Sequence, residues 1–320
     1  MRILIIGGTR FLGRAIALTL LPRGHTVTVL HRGQTRCALP QAVREICCDA
    51  RDPAALEPHF AENRYDAVID TILSAKDLEW YLPLVHRHCG QLLHCGSTGV
   101  YAPLSRAPAR EDDPTPCPPE LGGFGEKLRQ DNVLLDYHRK TGFRVCSLRP
   151  SNIFGAGDVP LDGWGSRNPA YFQRMADGAE IWIPNDGRAL LQPVHVDDVA
   201  EAFGLALESN KVSGQIYNVS SAGAVTLTHY AELACELLGS SPPFRYVPMN
   251  DILATGMADE SGLRFVNESG LRFVCEHMSI DITKARTDLG YTPRMDVREG
   301  LRDSLIWMAQ QNILHAKIGK

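Results

Sequence analysis

The sequence predicts an α/β protein with a doubly wound parallel sheet and a smaller, less regular C-terminal part. The chain opens with a continuous apolar run, residues 1–6, followed by a glycine-rich loop and a helix-like segment. Such a run is typical of a buried parallel strand. Strand-like and helix-like segments then alternate as far as Pro150, and the alternation loosens through residues 155–165. This order is the pattern of a parallel sheet with helices on both faces.

The later elements of the regular part are short hydrophobic runs separated by longer amphipathic segments. The predicted strands are residues 25–30, 65–70, 91–95 and 143–148, and the predicted helices include residues 54–63 and 77–88. Parallel strands need crossover connections of about a dozen residues or more, which these helices can provide.

Residues 7–13, Gly-Gly-Thr-Arg-Phe-Leu-Gly, separate the first strand from the first helix. Gly7 permits a tight turn, Gly8 leaves room for a pyrophosphate, and Gly13 lets the helix pack close to the strand. The helix N-terminus offers N–H groups and the positive end of its dipole to phosphates. This order predicts a Rossmann-like, dinucleotide-binding fold, the alternative being a purely structural βα turn. The predicted cofactor contacts in the loop are Gly7, Gly8, Thr9, Arg10, Phe11, Leu12 and Gly13.

Composition limits the partners and the compartment. The 320 residues carry a formal net charge of −4 without any run of Lys and Arg, so nucleic-acid binding is not expected. No apolar run reaches the ~18 residues of a membrane span, and the N-terminus enters the first strand without a signal-peptide cleavage site. The nine cysteines form no Cys-x-x-Cys pair. Scattered thiols predict the cytoplasm and neither a disulfide framework nor a metal site.

Further motifs follow in a fixed order, and together they resemble those of the extended short-chain dehydrogenase/reductase family, the NAD-dependent epimerase/dehydratase group. The motifs are residues 7–13, 48–52, 97–101, 148–155, 195–200, 216–219, 288–293 and 299–301. They cover nearly the whole chain, so the set is far more specific than any single motif. The resemblance implies an NAD(P)-dependent enzyme with a small-molecule substrate, and a homodimer formed through the helices after the third and fourth predicted strands.

The resemblance also implies roles for individual residues. Asp49, with Ala50 beside it, contacts the adenine ring, and Ser97 hydrogen-bonds the reacting hydroxyl or carbonyl. In that family a Tyr-x-x-x-Lys pair completes the site, with the tyrosine as general acid/base beside the lysine. The lysine position here is Lys127, which the resemblance assigns to the nicotinamide ribose. The tyrosine position is Gly123.

The missing phenol leaves several possibilities open. Tyr101 could supply the proton, although in the family this tyrosine usually shapes the pocket, and a water or a substrate group could act instead. The catalytic tyrosine could also lie elsewhere, since Tyr137 and Lys140 stand three residues apart. Lys127 itself could be an ordinary solvated helix residue. The predicted catalytic residues are Ser97, Lys127 and Tyr101.

Two motif features that would indicate particular reactions or substrates are missing from the sequence. The 4,6-dehydratases carry an Asp-Glu pair after the Ser97 position, but Thr98 and a glycine follow here, so that elimination is not expected. The nucleotide-sugar epimerases place an arginine shortly before the motif that begins at His195, to hold the substrate pyrophosphate. Here Leu191 occupies that segment and Arg188 is displaced from it. The predicted substrate contacts are Ser97, Thr98, Asn152, Arg188 and Arg294.

Cofactor choice depends on the end of the second strand. An acidic residue there would bind both ribose hydroxyls of NAD, but His31 and Arg32 occupy this position and Arg10 replaces the middle glycine of the loop. Two guanidinium groups near the ribose favour the 2′-phosphate of NADP over NAD. The alternative is that both arginines are simply exposed loop residues.

We predict a cofactor-binding part at 1–155, to which 190–220 returns, and a mainly substrate-binding part at 156–189 and 221–320. The first hypothesis is an epimerase or reductase acting on a hydroxyl or ketone of a sugar-like or nucleotide-sugar metabolite. The alternative is a catalytically degenerate cofactor-binding regulatory protein, or an RNA-binding protein, because the glycine loop also resembles that of chloroplast stem-loop RNA-binding endonucleases.

His195 is interpreted as structural. A tandem repeat, 261–266 and 269–274, is either a pocket lid carrying Arg264 and Arg272 or a local structural duplication.

Overall fold

A computed structural model describes residues 1–35, 39–121, 123–255 and 267–319. The strands are β1 Arg2–Ile6, β2 Thr26–His31, β3 Arg44–Cys47, β4 Ala67–Asp70, β5 Gln91–Cys95, β6 Arg144–Pro150, β7 Ile153–Phe154, β8 Ile181–Pro184, β9 Leu190–Leu191, β10 Val194–His195, β11 Gln215–Val219, β12 Val225–Thr226 and β13 Phe244–Val247. The helices are α1 Phe11–Leu20, α2 Pro53–Glu62, α3 Ala75–His88, α4 Phe124–Thr141, α5 Pro169–Ala176, α6 Val196–Glu208, α7 Leu227–Leu238, α8 Met249–Thr255, α9 Glu268–Val274, α10 Thr283–Leu289 and α11 Val297–Gln310. Short 3₁₀ turns occupy Leu21–Arg23, Thr98–Tyr101 and Pro119–Leu121.

The central sheet has seven strands in the order β11-β6-β5-β4-β1-β2-β3. All its neighbouring pairs are parallel, which confirms the predicted Rossmann-like doubly wound sheet. The strand order reverses between β1 and β4, and ligands of such sheets bind outside the carboxyl ends of the strands at this point. The later strand β11 also joins the sheet, beside β6.

The sequence analysis predicts neither β3 nor β11 as a strand, although it assigns residues 190–220 to the cofactor-binding part. Strand β3 lies at the edge, pairs only with β2, and buries Ile46 alone among its four residues. Since its other side chains are exposed and polar or small, its hydrophobic signal is too weak for a pattern of strand length. The strand carries Glu45, which enters the site described below.

Helices cover both faces of the sheet, because successive strand residues point to opposite sides. Ile3 and Ile5 join a core on the side of helices α1 and α6, which pack against each other. Leu4 and Ile6 join a second core under α2, α3 and α4. No helix in the described parts of the chain is long and apolar enough to cross a membrane.

The second copy of the tandem repeat forms most of helix α9. Leu271, Phe273 and Val274 of this helix are buried, and a Cβ on Gly270 would collide with the backbone of Gly165. Arg272 pairs with Glu268 on the same helix. These contacts support the structural interpretation for this copy. The first copy and Arg264 lie outside the described residues.

Candidate active site

The glycine loop turns sharply at the carboxyl end of β1. Gly7 has φ of +86°, which glycine adopts without steric cost. A Cβ on Gly13 would lie closer than 3.0 Å to the backbone of the loop, so helix α1 starts in direct contact with that backbone. A Cβ on Gly8 would lie 2.7 Å from the side chain of Val29. Packing against Val29 of strand β2 therefore favours a glycine at position 8. The prediction for Gly8 is that it leaves room for the pyrophosphate.

A cavity of about 210 Å³ opens beside this loop. It brings together most of the residues predicted to bind the adenosine half of the cofactor, namely Gly7, Thr9, Arg10, His31, Arg32, Asp49 and Ala50. Leu30, Gln34, Thr35, Cys48, Arg51 and Ile72 complete its lining. The cavity lies at the carboxyl ends of β1 to β4, where a doubly wound sheet binds its ligand.

Polar groups of the cavity have defined partners. The Arg10 side chain donates from Nε to Thr35 Oγ1 at 3.0 Å, and the Asp49 carboxylate accepts the backbone N–H of residue 51 at 3.0 Å. His31 Nε2 lies 2.9 Å from a carboxylate oxygen of Glu45. An acid therefore stands next to the end of β2 after all, but it comes from the neighbouring strand β3 and is engaged by the histidine.

Ser97 and Lys127 meet at the carboxyl end of β5. Ser97 caps the 3₁₀ turn that follows the strand, and its Oγ accepts the N–H of Gly99 at 3.1 Å. Its hydroxyl hydrogen is thus available for donation to a ligand. Lys127, on helix α4, donates from Nζ to the carbonyl of Cys95 at 2.8 Å. The ammonium group therefore contacts the backbone two residues before Ser97, which disfavours the interpretation of a freely solvated lysine.

The position of the missing phenol is open. A Cβ on Gly123 would have no described atom within 4 Å. The next residue, Phe124, covers Gly99 so closely that a Cβ there would collide with its ring. The Phe124 ring also packs against Phe273 of helix α9, with 4.8 Å between ring centroids. An aromatic pair thus lies over Gly99, two residues after Ser97, and position 123, the predicted tyrosine position, carries no side chain.

Tyr101 is held in a buried polar network. Its hydroxyl donates to Asn218 at 2.9 Å and accepts from Arg149 at 2.6 Å, and the residue is 1% exposed. Arg149 is paired in turn with Asp131 of helix α4 at 2.8 Å. Burial raises the pKa of Tyr101 to about 12, against the opposing effect of Arg149. Both contacts favour a packing role, and a phenol that titrates so high is poorly suited to proton transfer near neutral pH.

The two arginines predicted to contact substrate each lie near a carboxylate. The Arg188 side chain is 84% exposed and is 3.8 Å from Asp186. Arg294 lies in a separate groove lined by residues 221–225 and 293–298, where it is 3.4 Å from Glu201. Leu191, in the segment where an arginine would be expected, is buried. Neither arginine is therefore placed by its contacts at the reaction side of the site.

The other predicted substrate contacts are close to strand β6. Thr98, next to Ser97, is buried and its hydroxyl donates to the carbonyl of Pro150 at 3.4 Å. Asn152 is half-buried, and its carbonyl accepts the N–H of Val194 at 2.9 Å. The backbone of Asn152 is thus tied to strand β10, while Thr98 fixes the turn after β5.

His195 contacts a carboxylate of helix α11. Its Nε2 lies 3.1 Å from the Asp303 carboxylate, which also accepts the N–H of Ala156 at 2.6 Å. Burial is the largest influence on the pKa of His195 and lowers it, but the hydrogen bond to Asp303 and the carboxylates of Asp197 and Asp198 outweigh it and raise this pKa overall. The same hydrogen bond lowers the pKa of Asp303. These contacts join α6, α11 and the loop after β7, consistent with a structural histidine.

Sequence reasoning missed several residues of the site. Ile72 is 45% exposed, packs on Gly7 and lines the cavity. Its place just beyond the carboxyl end of β4 was the available signal. Glu45 was missed because its strand was missed. His94, a polar residue inside the apolar run of β5, was visible in the sequence but was not interpreted.

Comparison with known proteins bears on this geometry. The model of the NAD dependent epimerase/dehydratase family matches residues 3–83 and 78–220. The chain belongs to this family. The predicted family is thus confirmed.

Two relatives and one solved structure are similar to this chain. The chain is 28% identical over 319 residues to the chloroplast stem-loop binding protein of 41 kDa b of Arabidopsis thaliana, with 95% of this chain and 78% of that protein covered. It is 26% identical over 329 residues to a dTDP-6-deoxy-L-talose 4-dehydrogenase (NAD(P)(+)) of Kitasatospora kifunensis, with 97% and 95% covered. A UDP-glucuronic acid 4-epimerase of Bacillus cereus, solved with UDP-glucuronic acid and NAD, shares the fold with a TM-score of 0.74 at 17% identity, with 97% and 100% covered.

Proposed function

We propose that this protein is an NAD(P)-dependent epimerase or reductase that acts on a hydroxyl or ketone of a sugar-like or nucleotide-sugar substrate. The observation that carries the proposal is the joint placement of Ser97 and Lys127 at the end of β5, on the same edge of the sheet as the adenosine cavity. A dinucleotide spans such an edge from β2 to the strands beyond β4. Relatives with activities named for nucleotide sugars support this reading.

The residues fit a dinucleotide cofactor. The left-handed turn at Gly7 and the close approach at Gly13 leave the N-terminus of α1 beside the loop, which is where a pyrophosphate is bound. The cavity would hold the adenosine, and Lys127 would bind the nicotinamide ribose. The cofactor supplies hydride transfer when it is bound.

In the proposed reaction, side chains of the protein orient the substrate and polarise its reacting oxygen. Ser97 can donate its hydroxyl hydrogen to the reacting oxygen, because its lone pair already accepts the N–H of Gly99. The ammonium of Lys127 adds positive charge at the same strand end. Since Gly123 offers no proton donor and Tyr101 is engaged elsewhere, the proton is exchanged with a water or a substrate group in the open space at Gly123.

The substrate's reacting part is proposed to be sugar-like. A nucleotide-sugar pyrophosphate would need a cationic partner, and Leu191 is apolar and buried in the segment where that arginine is expected. Arg188 is 3.8 Å from Asp186 and Arg294 is 3.4 Å from Glu201. A panel should therefore contain free and phosphorylated sugars as well as nucleotide sugars.

The proposal is tested by following the absorbance of reduced nicotinamide for hydride transfer and by product analysis for epimerisation. Turnover with one class of sugar supports the proposal, and binding of cofactor with no turnover across the panel overturns it. Gly123→Tyr then tests the open position, because a Cβ there meets no described atom within 4 Å. Increased turnover in this variant would indicate a degenerate site, and unchanged or lower turnover would indicate chemistry adapted to the open position. Phe124→Tyr is a matched control that adds a phenol one residue away.

The finer proposal is a preference for NADP. Arg10, Arg32 and Arg51 all line the adenosine cavity. The nearest acid to the end of β2, Glu45, is engaged by His31. Guanidinium groups favour a 2′-phosphate through charge-assisted hydrogen bonds. Fluorescence titration with NADPH and NADH tests this, and tighter binding of NADH would overturn it.

A second candidate is a dinucleotide-binding protein without turnover, including one that binds RNA. The glycine at position 123 and the similarity to the chloroplast stem-loop binding protein favour it. The formal net charge of −4 opposes RNA binding. Salt-sensitive binding of a structured RNA, together with no turnover on the substrate panel, would favour this candidate over the enzyme.

We further propose a cytoplasmic homodimer. Among the described residues, eight cysteines are present and all are unpaired, which fits a reducing compartment. The proposed contact is formed by α3 and α4, the helices that follow β4 and the Ser97 turn. Sedimentation analysis tests the oligomeric state, and a monomer at micromolar concentration would refute it.

A further inference from the structure

Three polar side chains are buried together beneath the carboxyl ends of β4 and β5. Asp70 and His94 are 0% exposed and Gln130 of helix α4 is 4% exposed. His94 Nδ1 lies 2.7 Å from an Asp70 carboxylate oxygen, and His94 Nε2 lies 3.0 Å from Gln130 Oε1. Buried polar groups of this kind are retained only when each has a partner.

The orientation of Gln130 fixes the protonation of the imidazole. The amide nitrogen of Gln130 donates to the carbonyl of Leu73 at 2.7 Å, so the amide oxygen must face His94. A flipped amide would place two oxygens against each other at the Leu73 end. Both ring nitrogens of His94 therefore face acceptors, a carboxylate on one side and an amide oxygen on the other. Two backbone N–H groups and a lowered pKa favour an ionised Asp70, and beside an ionised Asp70 only the doubly protonated imidazolium satisfies both contacts.

The charges around this group are compatible with a buried cation. Asp70 faces it directly, and its carboxylate also accepts the N–H groups of Ile72 and Leu73, both at 3.0 Å. Burial raises the pKa of Asp70, but the hydrogen bond and the charge of His94 outweigh this effect and lower the pKa overall. The other ionisable groups nearby are Lys127, which contacts the carbonyl of Cys95, Asp131 of helix α4 and the phenol of Tyr81 of helix α3.

This cluster joins two segments that face the cofactor from different sides. Asp70 fixes the turn that carries Ile72, and Ile72 packs on Gly7 and lines the adenosine cavity. Gln130 lies one helical turn after Lys127 on α4 and fixes the same turn through the carbonyl of Leu73. The imidazole of His94 bridges these two groups.

We propose that His94 is a buried imidazolium which, with Asp70 and Gln130, sets the spacing between the adenosine cavity and Lys127. The three residues are positioning residues for the dinucleotide and do not touch it. The inference rests on the proposed cofactor binding for its functional part. The protonation state of His94 is independent of that function.

The protonation state is measured first, in the wild-type protein. Nitrogen-15 NMR of the histidine side chains at pH 7 should show one slowly exchanging ring in which both nitrogens carry hydrogen, and this signal should be perturbed in Gln130→Met. A His94 ring with hydrogen on a single nitrogen would overturn the proposal. The protonation state is read from the wild-type protein, so it does not depend on a variant that folds. The variant serves only to assign the signal to His94, and slow hydrogen exchange of a buried ring supports the same assignment.

The positioning role is measured with Gln130→Met, which keeps the side-chain volume and removes both polar contacts. We expect the Kd for reduced cofactor to rise about tenfold, comparable to the loss of one hydrogen bond to a charged group. At saturating cofactor, kcat should change much less than KM for the cofactor. Gln130→Glu retains an acceptor for the imidazolium and should recover part of the affinity.

Gln91→Met is the matched control. Gln91 lies at the opposite end of the same strand, β5, is 6% exposed, and donates to the carbonyl of Leu207 at 3.0 Å. Its loss should lower Tm while cofactor affinity stays at the wild-type value. Equal affinity in Gln130→Met and wild type would overturn the positioning role. Failure of the wild type to bind any dinucleotide would instead overturn the proposed function. The positioning role would fall with it. The NMR result would still decide the charge on His94.

Discussion

The adenosine side and the reaction side of the cleft are built on the same sheet edge but depend on different parts of the chain. On the adenosine side, a positive φ at Gly7 and the close approach at Gly13 place backbone groups beside the cavity. On the reaction side, Ser97 and Lys127 are present at the end of β5, yet position 123 carries no side chain. Backbone groups can bind a cofactor whichever side chains most positions carry. Proton transfer, in contrast, depends on one side chain at one position.

Under the proposed function, this difference predicts that residues on the reaction side can vary while those on the cofactor side stay constant. The residues around Gly123 are not in conflict with the fold, because the open position is bordered by a well-packed aromatic pair, Phe124 and Phe273. A glycine at position 123 therefore leaves the helix and the turn undisturbed. We therefore expect a change of residue at position 123 to alter stability little.

The largest effect is expected from Gly13→Val, which attacks the adenosine side through its backbone. A Cβ there would lie closer than 3.0 Å to the carbonyl of Gly7 and to Gly8, and neither can move without displacing the loop. We expect cofactor affinity to fall by more than about 100-fold, or the free energy of unfolding to drop by about 3 kcal/mol. Titration and thermal unfolding measure these effects.

Gly125→Ala is the control for that variant. A Cβ on Gly125 would make only an ordinary contact, 3.6 Å from Arg129, and alanine favours the helix slightly over glycine. Stability and affinity should stay at or slightly above the wild-type values. A Gly13→Val protein that binds cofactor normally would show that the loop is less constrained than its geometry indicates.

Ser97→Ala should separate the reaction side from the adenosine side. Removal of one positioned hydrogen-bond donor lowers kcat by about 100-fold or more, while the adenosine cavity is untouched. Since Ser97 also caps the 3₁₀ turn through Gly99, the free energy of unfolding should fall by about 1 kcal/mol. Steady-state kinetics and cofactor titration check the split, and a parallel loss of cofactor affinity would contradict it.

Sequence reasoning succeeded where a signal is local and failed where partners come from other strands. The glycine loop and the buried strands β1 and β5 carry their own signature, so the fold and the place of the cavity could be predicted. The partner of His31 could not, because Glu45 lies on an edge strand with one buried residue. The engagement of Tyr101 by Arg149 and Asn218 is likewise a long-range contact, separated by 48 and 117 residues.

A smaller effect is expected at His195 and Asp303, which hold the loop after β7. The pKa of His195 is raised, so its contribution to stability is complete below its unfolded value of about 6.5 and is lost as pH rises through the folded value. The pKa of Asp303 is lowered, so its contribution is present above about 3.9 and is lost as pH falls. The pair is therefore most stabilising between about pH 4 and 6.5.

Asp303→Asn tests this window. The variant should lose about 1 kcal/mol at pH 6, less than for a fully buried pair because the Asp303 side chain is 37% exposed. The difference from wild type should shrink as pH rises above the folded pKa of His195. Denaturant unfolding across pH measures it. Asp197→Asn, whose carboxylate is 71% exposed and 3.7 Å from the ring, should show a smaller change in the same direction. A difference that grows with pH would contradict the assignment.

The smallest expected effect concerns the charge balance of the adenosine cavity. Arg32 lines the cavity, whereas Arg14 lies in the adjoining groove and does not. Arg32→Ala should weaken NADPH about fivefold and leave NADH within about twofold, because an exposed charge-assisted contact is worth about 1 kcal/mol. Arg14→Ala should leave the ratio of the two Kd values unchanged. If both variants weaken both cofactors equally, the arginines act through general electrostatics, and the adenosine side does not discriminate the 2′-phosphate.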